Sequence, residues 1–237
     1  MEIPEITISG EKIFTLFGID VTNTFVISLL IAALLSVIFI SGFKKAKIVP
    51  GKLQNFLEFV LDSLYKFCDS ITNDRQITKE IFPIATTLFL IIISANILEL
   101  VPGLGIFKIL RSPSSDLNFT LALSLFSIIF INVSAVIKLG AFRYIKKYVN
   151  LKSPIDFALG LLEGIGEFTR ILSLTFRLFG NLFAGETLLI ITSFLFSYLL
   201  PLPFLALEVL VGFIQALIFF SLVIIFYSTA VKLEHGE

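Results

Sequence analysis

The sequence predicts an all-α polytopic membrane protein with about five membrane-crossing helices and one amphipathic helix lying at the membrane surface. Three observations predict this class. The composition is 57% hydrophobic and 15% charged, with a mean hydropathy of +0.99. The apolar residues gather in long charge-free runs rather than in short amphipathic periods. Only after Gly51 does a stretch alternate apolar and polar residues at helical spacing. Eighteen basic residues balance eighteen acidic ones, so no strong field points to nucleic acid or to a polybasic membrane anchor. The lone Cys68 excludes an internal disulfide.

Residues 1–20 carry Glu2, Glu5, Glu11 and Asp20 against the single Lys12. That balance opposes the basic start of a signal peptide, so the segment is expected to be retained outside the membrane. Charge-free runs follow at Val21 to Phe43, Ile81 to Leu98 and Leu117 to Ile137. Each is close to the roughly 20 residues that a spanning helix needs, which places spans at 21–43, 81–99 and 117–138. Between Lys52 and Ile71, residues Leu53, Phe56, Leu57, Val60, Leu61, Leu64, Phe67 and Cys68 form one stripe, with Gln54, Asn55, Glu58, Asp62 and Lys66 opposite. This predicts an interfacial helix over 52–71, although a soluble partner would select the same pattern.

From Asp156 to Val231 the chain stays apolar, with one strong breaker at Leu200-Pro201-Leu202-Pro203. Two helices are expected there, 156–199 and 204–231. The first would be about 65 Å long at ~1.5 Å per residue, twice the hydrocarbon thickness, so it must tilt, bend or begin outside the bilayer. A span across Thr187 to Leu207 is disfavoured, because each proline removes a helix hydrogen bond that lipid cannot replace. The whole chain, 1–237, therefore reads as a single integral membrane domain.

Lys44, Lys45, Lys47, Lys52, Lys66, Arg75 and Lys79 follow the first span, and Lys138, Arg143, Lys146, Lys147 and Lys152 follow the third. Both groups are expected to be cytoplasmic. The opposite side holds Lys12, Lys108 and Arg111, so five crossings put the N-terminus outside and the C-terminus inside.

Arg177 stands within this apolar chain, where a cation costs several kcal/mol unless an anion or water meets it. Its guanidinium cannot escape by deprotonation. At about 100° per residue, Glu163 and Asn181 lie roughly 40° from Arg177 and Arg170 roughly 20°, all on one side of the helix. Ser173, Gly180 and Ala184 lie within about 60° on the other side. Small residues beside an intramembrane charge let a second helix approach closely, so the face suits a partner that carries an acid. The bland alternative is a static salt bridge from Arg177 to Glu208 on the next helix, since Glu186 lies about 180° around the same one. Arg170 is most simply a snorkelling anchor.

Gln215 is nearly in register with Glu208 and is a plausible neighbour of Arg177, as interhelical glue or as part of a relay. Asn96 and Glu99 either line a water-filled entrance or mark the membrane surface, the latter being the simpler reading for Glu99. Asp116 and Asn118 suit a helix N-terminus and can also face an aqueous vestibule. Lys138 reads as a positive-inside anchor. No His, Cys or acid cluster has metal-ligand spacing, and His235 is the only histidine, which argues against a metal or serine hydrolase. No paired repeats favour a secondary transporter.

The string Leu174-Thr175-Phe176-Arg177-Leu178-Phe179-Gly180-Asn181-Leu182-Phe183-Ala184-Gly185-Glu186 closely resembles the arginine-bearing helix of subunit a of F-type rotary ATP synthases. Supporting matches are Val49-Pro50-Gly51-Lys52-Leu53-Gln54, Asn96 to Gly103, Ser115-Asp116-Leu117-Asn118-Phe119-Thr120 and Ile214-Gln215-Ala216-Leu217-Ile218-Phe219. The resemblance covers nearly the whole chain. It implies a non-catalytic stator subunit of the ATP synthase membrane sector, without cofactor or metal, partnered by the c-subunit ring, the b-subunit peripheral stalk and the rest of the complex. Arg177 corresponds to the family's essential arginine. Glu163, Asn181 and Gln215 match positions near the ring and the access paths, and Glu186 and Glu208 match a pair on the second path, where some relatives carry histidine. The resemblance further implies that the last two helices form a steeply tilted hairpin around the ring. Proton coupling is the default and sodium the alternative. A bacterial plasma membrane suits the short outer N-terminus better than a thylakoid. A purely structural membrane subunit is the remaining rival.

Overall fold

The computed structural model describes residues 10, 12–16, 19–44, 46–99, 112–140, 142, 144, 154–195 and 201–232. Several residues used above lie outside that set: Glu2, Glu5, Glu11, Lys45, Lys108, Arg111, Arg143, Lys146, Lys147, Lys152 and His235, together with the side chains of Glu99 and Asp156. Within the described residues the protein is helical apart from a short hairpin before the first span. The chain runs β1 (Lys12–Leu16), β2 (Ile19–Thr22), α1 (Asn23–Phe43), α2 (Lys52–Thr72), α3 (Arg75–Glu99), a single 3-10 turn (Pro113–Ser115), α4 (Leu117–Leu139), α5 (Pro154–Leu195) and α6 (Pro201–Lys232). Five of the helices, α1 and α3 to α6, are long and apolar enough to cross a membrane.

The hairpin was not foreseen. β1 and β2 pair antiparallel, Leu16 opposite Ile19 and Lys12 opposite Thr22, and an exposed Lys12–Asp20 ion pair at 2.6 Å joins them. Ile13, Thr15, Val21 and Thr22 are β-branched and disfavour helix this close to a chain turn. Thr22 then caps α1, its side chain accepting from the Phe25 N–H at 3.3 Å.

Helix α1 is almost uniformly apolar and buries only Asn23, Thr24, Ile27, Ile31 and Gly42. Its exposed Phe25, Leu29, Leu30, Leu34, Val37 and Ile40 would be an aggregation hazard in water and are the expected lipid face in a bilayer. Helix α2 is amphipathic, burying Leu57, Leu64 and Cys68 toward the bundle. Gln54 fixes its start: the amide accepts from Lys47 N–H at 3.2 Å and donates to Lys47 C=O at 3.1 Å. Asn73 ends α2 in the left-handed region, φ 51°, a conformation Asn tolerates better than most residues.

Helix α3 begins at Arg75, six residues before the charge-free run, and carries Pro83 inside it. Helix α6 begins at Pro201 itself and includes Pro203. The first-turn N–H groups have no intrahelical acceptor in any case, so prolines at these positions cost α6 little.

The core is built where α6 meets α3 and α4 and where α5 meets α4. Ile81, Ala85, Leu88 and Ile92 of α3 recur at spacings of three and four residues and pack with Ile128 and Ile131 of α4, Leu174, Leu178 and Leu182 of α5, and Phe219, Phe220, Val223 and Ile224 of α6. Two hydroxyls join α4 to α5: Ser124 Oγ and Thr175 Oγ1 lie 2.5 Å apart, both buried. At the α2 side, Lys232 Nζ donates to Thr72 C=O at 2.5 Å, fastening the end of α6 to the α2–α3 turn.

Candidate functional site

Helix α5 has two unlike faces. Leu174, Leu178 and Leu182 are 2%, 0% and 1% exposed and press into the core. The flank carrying Arg177 is uncovered: Ser173, Asn181 and Ala184 are exposed and Arg177 is half-buried. A side chain built at Gly180 would meet nothing, so this flank is open to close approach. Arg177 donates from its guanidinium to Ser173 Oγ, one turn earlier, at 3.2 Å. A single neutral hydroxyl on its own helix does not compensate a guanidinium for removal from water.

The static bridge to Glu208 does not form. Glu208 on α6 is 6% exposed, and both of its carboxylate oxygens lack a hydrogen-bond partner among the described residues. Gly185 of α5 makes room for it: a Cβ there would collide with Glu208 Oε1, so a larger residue would push the carboxyl aside. Glu186 follows Gly185 directly in sequence and adds a second carboxyl group to this end of α5.

Gln215, two turns along α6 from Glu208, is 3% exposed and accepts from Asn181 Nδ2 at 3.1 Å. It therefore ties the Arg177 flank of α5 to α6 through Asn181. Between Glu208 and Gln215 lies Gly212, whose carbonyl accepts from Asn96 Nδ2 at 2.9 Å. A Cβ on Gly212 would come within 3.1 Å of Asn96 Cβ. Asn96 is thus buried, 4% exposed, and clasps α3 to α6; its Oδ1 has no partner among the described residues.

The remaining predicted residues separate into different places. Asp116 is 2% exposed. Its Oδ1 accepts from Asn118 N–H at 2.9 Å, which caps α4, and its Oδ2 accepts from Thr24 Oγ1 at 2.5 Å and Gly10 N–H at 3.1 Å. It is a buried hub joining α4 to α1 rather than only a cap, while the Asn118 side chain is exposed. Glu163 is exposed on α5. Arg170, expected to be a snorkelling anchor, has its guanidinium 4.8 Å over the ring of Phe226 on α6, a cation–π contact between the two helices.

Sequence reasoning missed one polar cluster entirely. At the α2 side, Lys138 of α4 pairs with Glu80 of α3, Tyr227 of α6 donates to the same Glu80 Oε2 at 2.8 Å, and Lys138 Nζ lies 5.7 Å over the Tyr227 ring. A signal for it was present: Glu80 opens one span and Lys138 closes the next, so topology alone brings them to the same membrane surface. A second group joins α4 to α5, with Asn132 Nδ2 donating to Glu167 Oε2 at 2.9 Å and Tyr144 OH donating to Asn132 Oδ1 at 2.9 Å.

Comparison with known proteins supplies what geometry does not. Residues 24–228 match the family model described as ATP synthase A chain. The chain is 37% identical to ATP synthase subunit a of Gloeobacter violaceus, over 93% of this chain and 86% of the relative. It is 33% identical to that of Nitratiruptor sp., over 94% and 98%, and 33% identical to that of Desulfosudis oleivorans, over 86% of each.

Proposed function

Since the chain belongs to the ATP synthase A chain family, whose members are multi-pass subunits of the ATP synthase membrane sector, we propose that it is the stationary subunit through which protons reach and leave a rotating ring of c subunits. The chain forms and breaks no covalent bond of a substrate itself; it couples ion flow to rotation. One observation carries the reading: the half-buried Arg177 guanidinium lies on a small-residue flank of α5 where Ser173, Asn181 and Ala184 are exposed, with Ser173 as its hydrogen-bond partner.

A ring carboxylate brought to that flank meets a fixed positive charge and is drawn into its ionised form. The same charge repels a cation moving straight across. Two half-channels, offset around the ring, then lie on either side of Arg177. An ion enters from outside, neutralises a ring carboxylate, rides through the lipid and leaves on the other side. Glu208 and Glu186 serve the outer path, and Asn181 and Gln215 set the position of the Arg177 flank against α6. Asn96 and Asp116 stand at the outer end of the bundle, with Glu99 and Asn118 beside them in sequence, and Glu163 lies toward the inner path. The pair formed with the ring acid must stay hydrated, since a dry bidentate bridge would be too stable to break at every step. The driving force is about 2.3 kcal/mol per charge per 100 mV, so several ions cross for each ATP made.

In the complex, the Arg177 flank faces the c ring and the b-subunit stalk binds elsewhere on the chain. The chain forms a single integral membrane domain in a bacterial plasma membrane, with the N-terminus outside and the basic loops inside. ATP-driven proton pumping in vesicles carrying the whole complex with Arg177→Ala, beside a measure of assembly with the ring, tests the reading. Abolished pumping with normal assembly is expected. Near-normal pumping overturns it and leaves Arg177 a structural charge.

A further inference from the structure

Two lines of residues run side by side along α5 from Arg177 toward the α2 side. Arg177, Arg170 and Glu163 recur every seven residues, and so do Gly180, Ser173 and Gly166. At about 100° per residue, seven residues turn the helix only about 20° away from a whole number of turns. Each line therefore keeps to one side of the helix, and the small residues adjoin the charged ones. A Cβ built on Gly180 or on Gly166 would meet nothing, and Ser173 is exposed. The room for close approach beside Arg177 continues past Arg170.

Arg170 is half-buried, with its guanidinium 4.8 Å over the Phe226 ring. It makes no ion pair among the described residues. The acid three residues before it, Glu167, is engaged with α4: it accepts from Asn132 Nδ2 at 2.9 Å, and Tyr144 OH donates to it at 3.4 Å. Glu163 stands two turns back and is exposed. The other ionisable groups of this half of the bundle are also engaged. Glu80 of α3 meets Lys138 of α4 and Tyr227 of α6, and Lys232 of α6 donates to Thr72 C=O. An aromatic face attracts a cation without neutralising it, so Arg170 keeps its whole charge beside the open strip.

We propose that Arg170 is a second tuning charge, on the inner path: about 10 Å from Arg177 toward the α2 side at ~1.5 Å per residue, it favours release of a proton from a ring carboxylate to that side and opposes its return. The inference rests on the reading of Arg177 given above. A full charge at ~10 Å changes the proton affinity of a carboxyl by roughly twofold in bulk water and by roughly fifteenfold at an effective dielectric constant of about 20. Phe226 fixes where that charge stands. Without the ring, the flexible stem carries the guanidinium toward water, where salt screens it. The alternative is a purely structural Arg170 that fastens α5 to α6; it predicts lower stability and an unchanged proton affinity.

The test uses inside-out vesicles carrying the whole complex, so that the α2 side faces the bath. ATP-driven pumping takes up protons from that side, and its rate falls once the bath pH is too high to fill the ring carboxylates. The midpoint of that fall is read beside assembly with the ring and against the ATPase rate of uncoupled vesicles at each pH. Arg170→Gln is expected to move the midpoint up by about half a unit, roughly a threefold change in proton affinity, because the carboxyl then holds its proton more tightly. Arg170→Lys keeps the midpoint in place, and Phe226→Leu moves it up by less. An unmoved midpoint in assembled Arg170→Gln complexes overturns the proposal, as does a midpoint that moves equally in Arg170→Lys. Where Arg170→Gln does not assemble, an unmoved midpoint in Phe226→Leu overturns it instead. None of these results touches the reading of Arg177, which fails only if Arg177→Ala pumps near-normally.

Discussion

Two carboxylates near opposite ends of α6, the half-buried Glu80 of α3 and the buried Glu208 of α6 itself, are treated in opposite ways. At the α2 side, Glu80 is answered by the Lys138 ammonium and the Tyr227 hydroxyl, drawn from α4 and α6. Toward the other end, Glu208 is more deeply buried and neither oxygen has a partner among the described residues. An ion held by two partners is fixed, and it contributes to one arrangement of helices. A carboxyl left without partners beside another acid destabilises the resting fold, which a protein tolerates where the group must exchange an ion. Under the proposed function, the contrast separates the charges that build the bundle from those that would serve transport.

The sharpest way to break that contrast is Glu208→Gln, which keeps the shape and removes the ionisable group. Proton pumping by the intact complex is expected to fall by roughly tenfold or more, with assembly unchanged. Unaltered pumping would place Glu208 among the structural groups. Gly185→Ala comes next. The added Cβ collides with the Glu208 carboxyl, so pumping should drop several-fold while the far-ultraviolet helical signal persists; full activity would mean the carboxyl has room to spare.

The same contrast predicts the reverse pattern at the clamp. Lys138→Met strands Glu80 and should cost about 1–2 kcal/mol of thermal stability, discounted because both side chains are partly exposed. Adding Glu80→Gln should recover most of it, and a double variant no more stable than the single one would show that the loss comes from the missing Lys138 contacts and not from a stranded Glu80 charge. Smaller still is Asn181→Ala, which removes one interhelical hydrogen bond to Gln215. A loss of about 0.6 kcal/mol is expected, read as a slight drop in the unfolding temperature of the complex.

The smallest effect concerns Cys68 on the bundle-facing side of α2. Burial first, and the charge of Asp69 second, push its thiol up to about 11. The reactive thiolate is therefore scarce at neutral pH, and its population rises about tenfold per pH unit until pH approaches that value. Maleimide labelling of the folded complex should be slow at pH 7 and rise with pH; rapid labelling at pH 7 would show that α2 lifts off the bundle.

The sequence alone was enough for the fold class, the approximate places of the long helices and the family. Run length, charge patterning and the Arg177 string are local properties, and a bilayer leaves the backbone few alternatives to helix. The face around Arg177 was legible for the same reason, since helical spacing places Asn181, Ser173 and Ala184 near it without any knowledge of neighbours. The hairpin at Lys12–Thr22 was not, because nine strand residues carry too little pattern to compete with the surrounding helical signal.

What only the tertiary structure decided is which charges are answered. Arg170 looked like a surface anchor and lies over Phe226. Lys138 looked like a topological marker and is half of an ion pair with Glu80. Asp116 looked like a cap and also binds Thr24 of α1, 92 residues away in sequence. Each partner comes from another helix, at a distance along the chain that periodicity cannot reach. A charge in a membrane is costly wherever it stands, so the sequence marks it; whether another helix supplies its counter-group depends on how the helices pack.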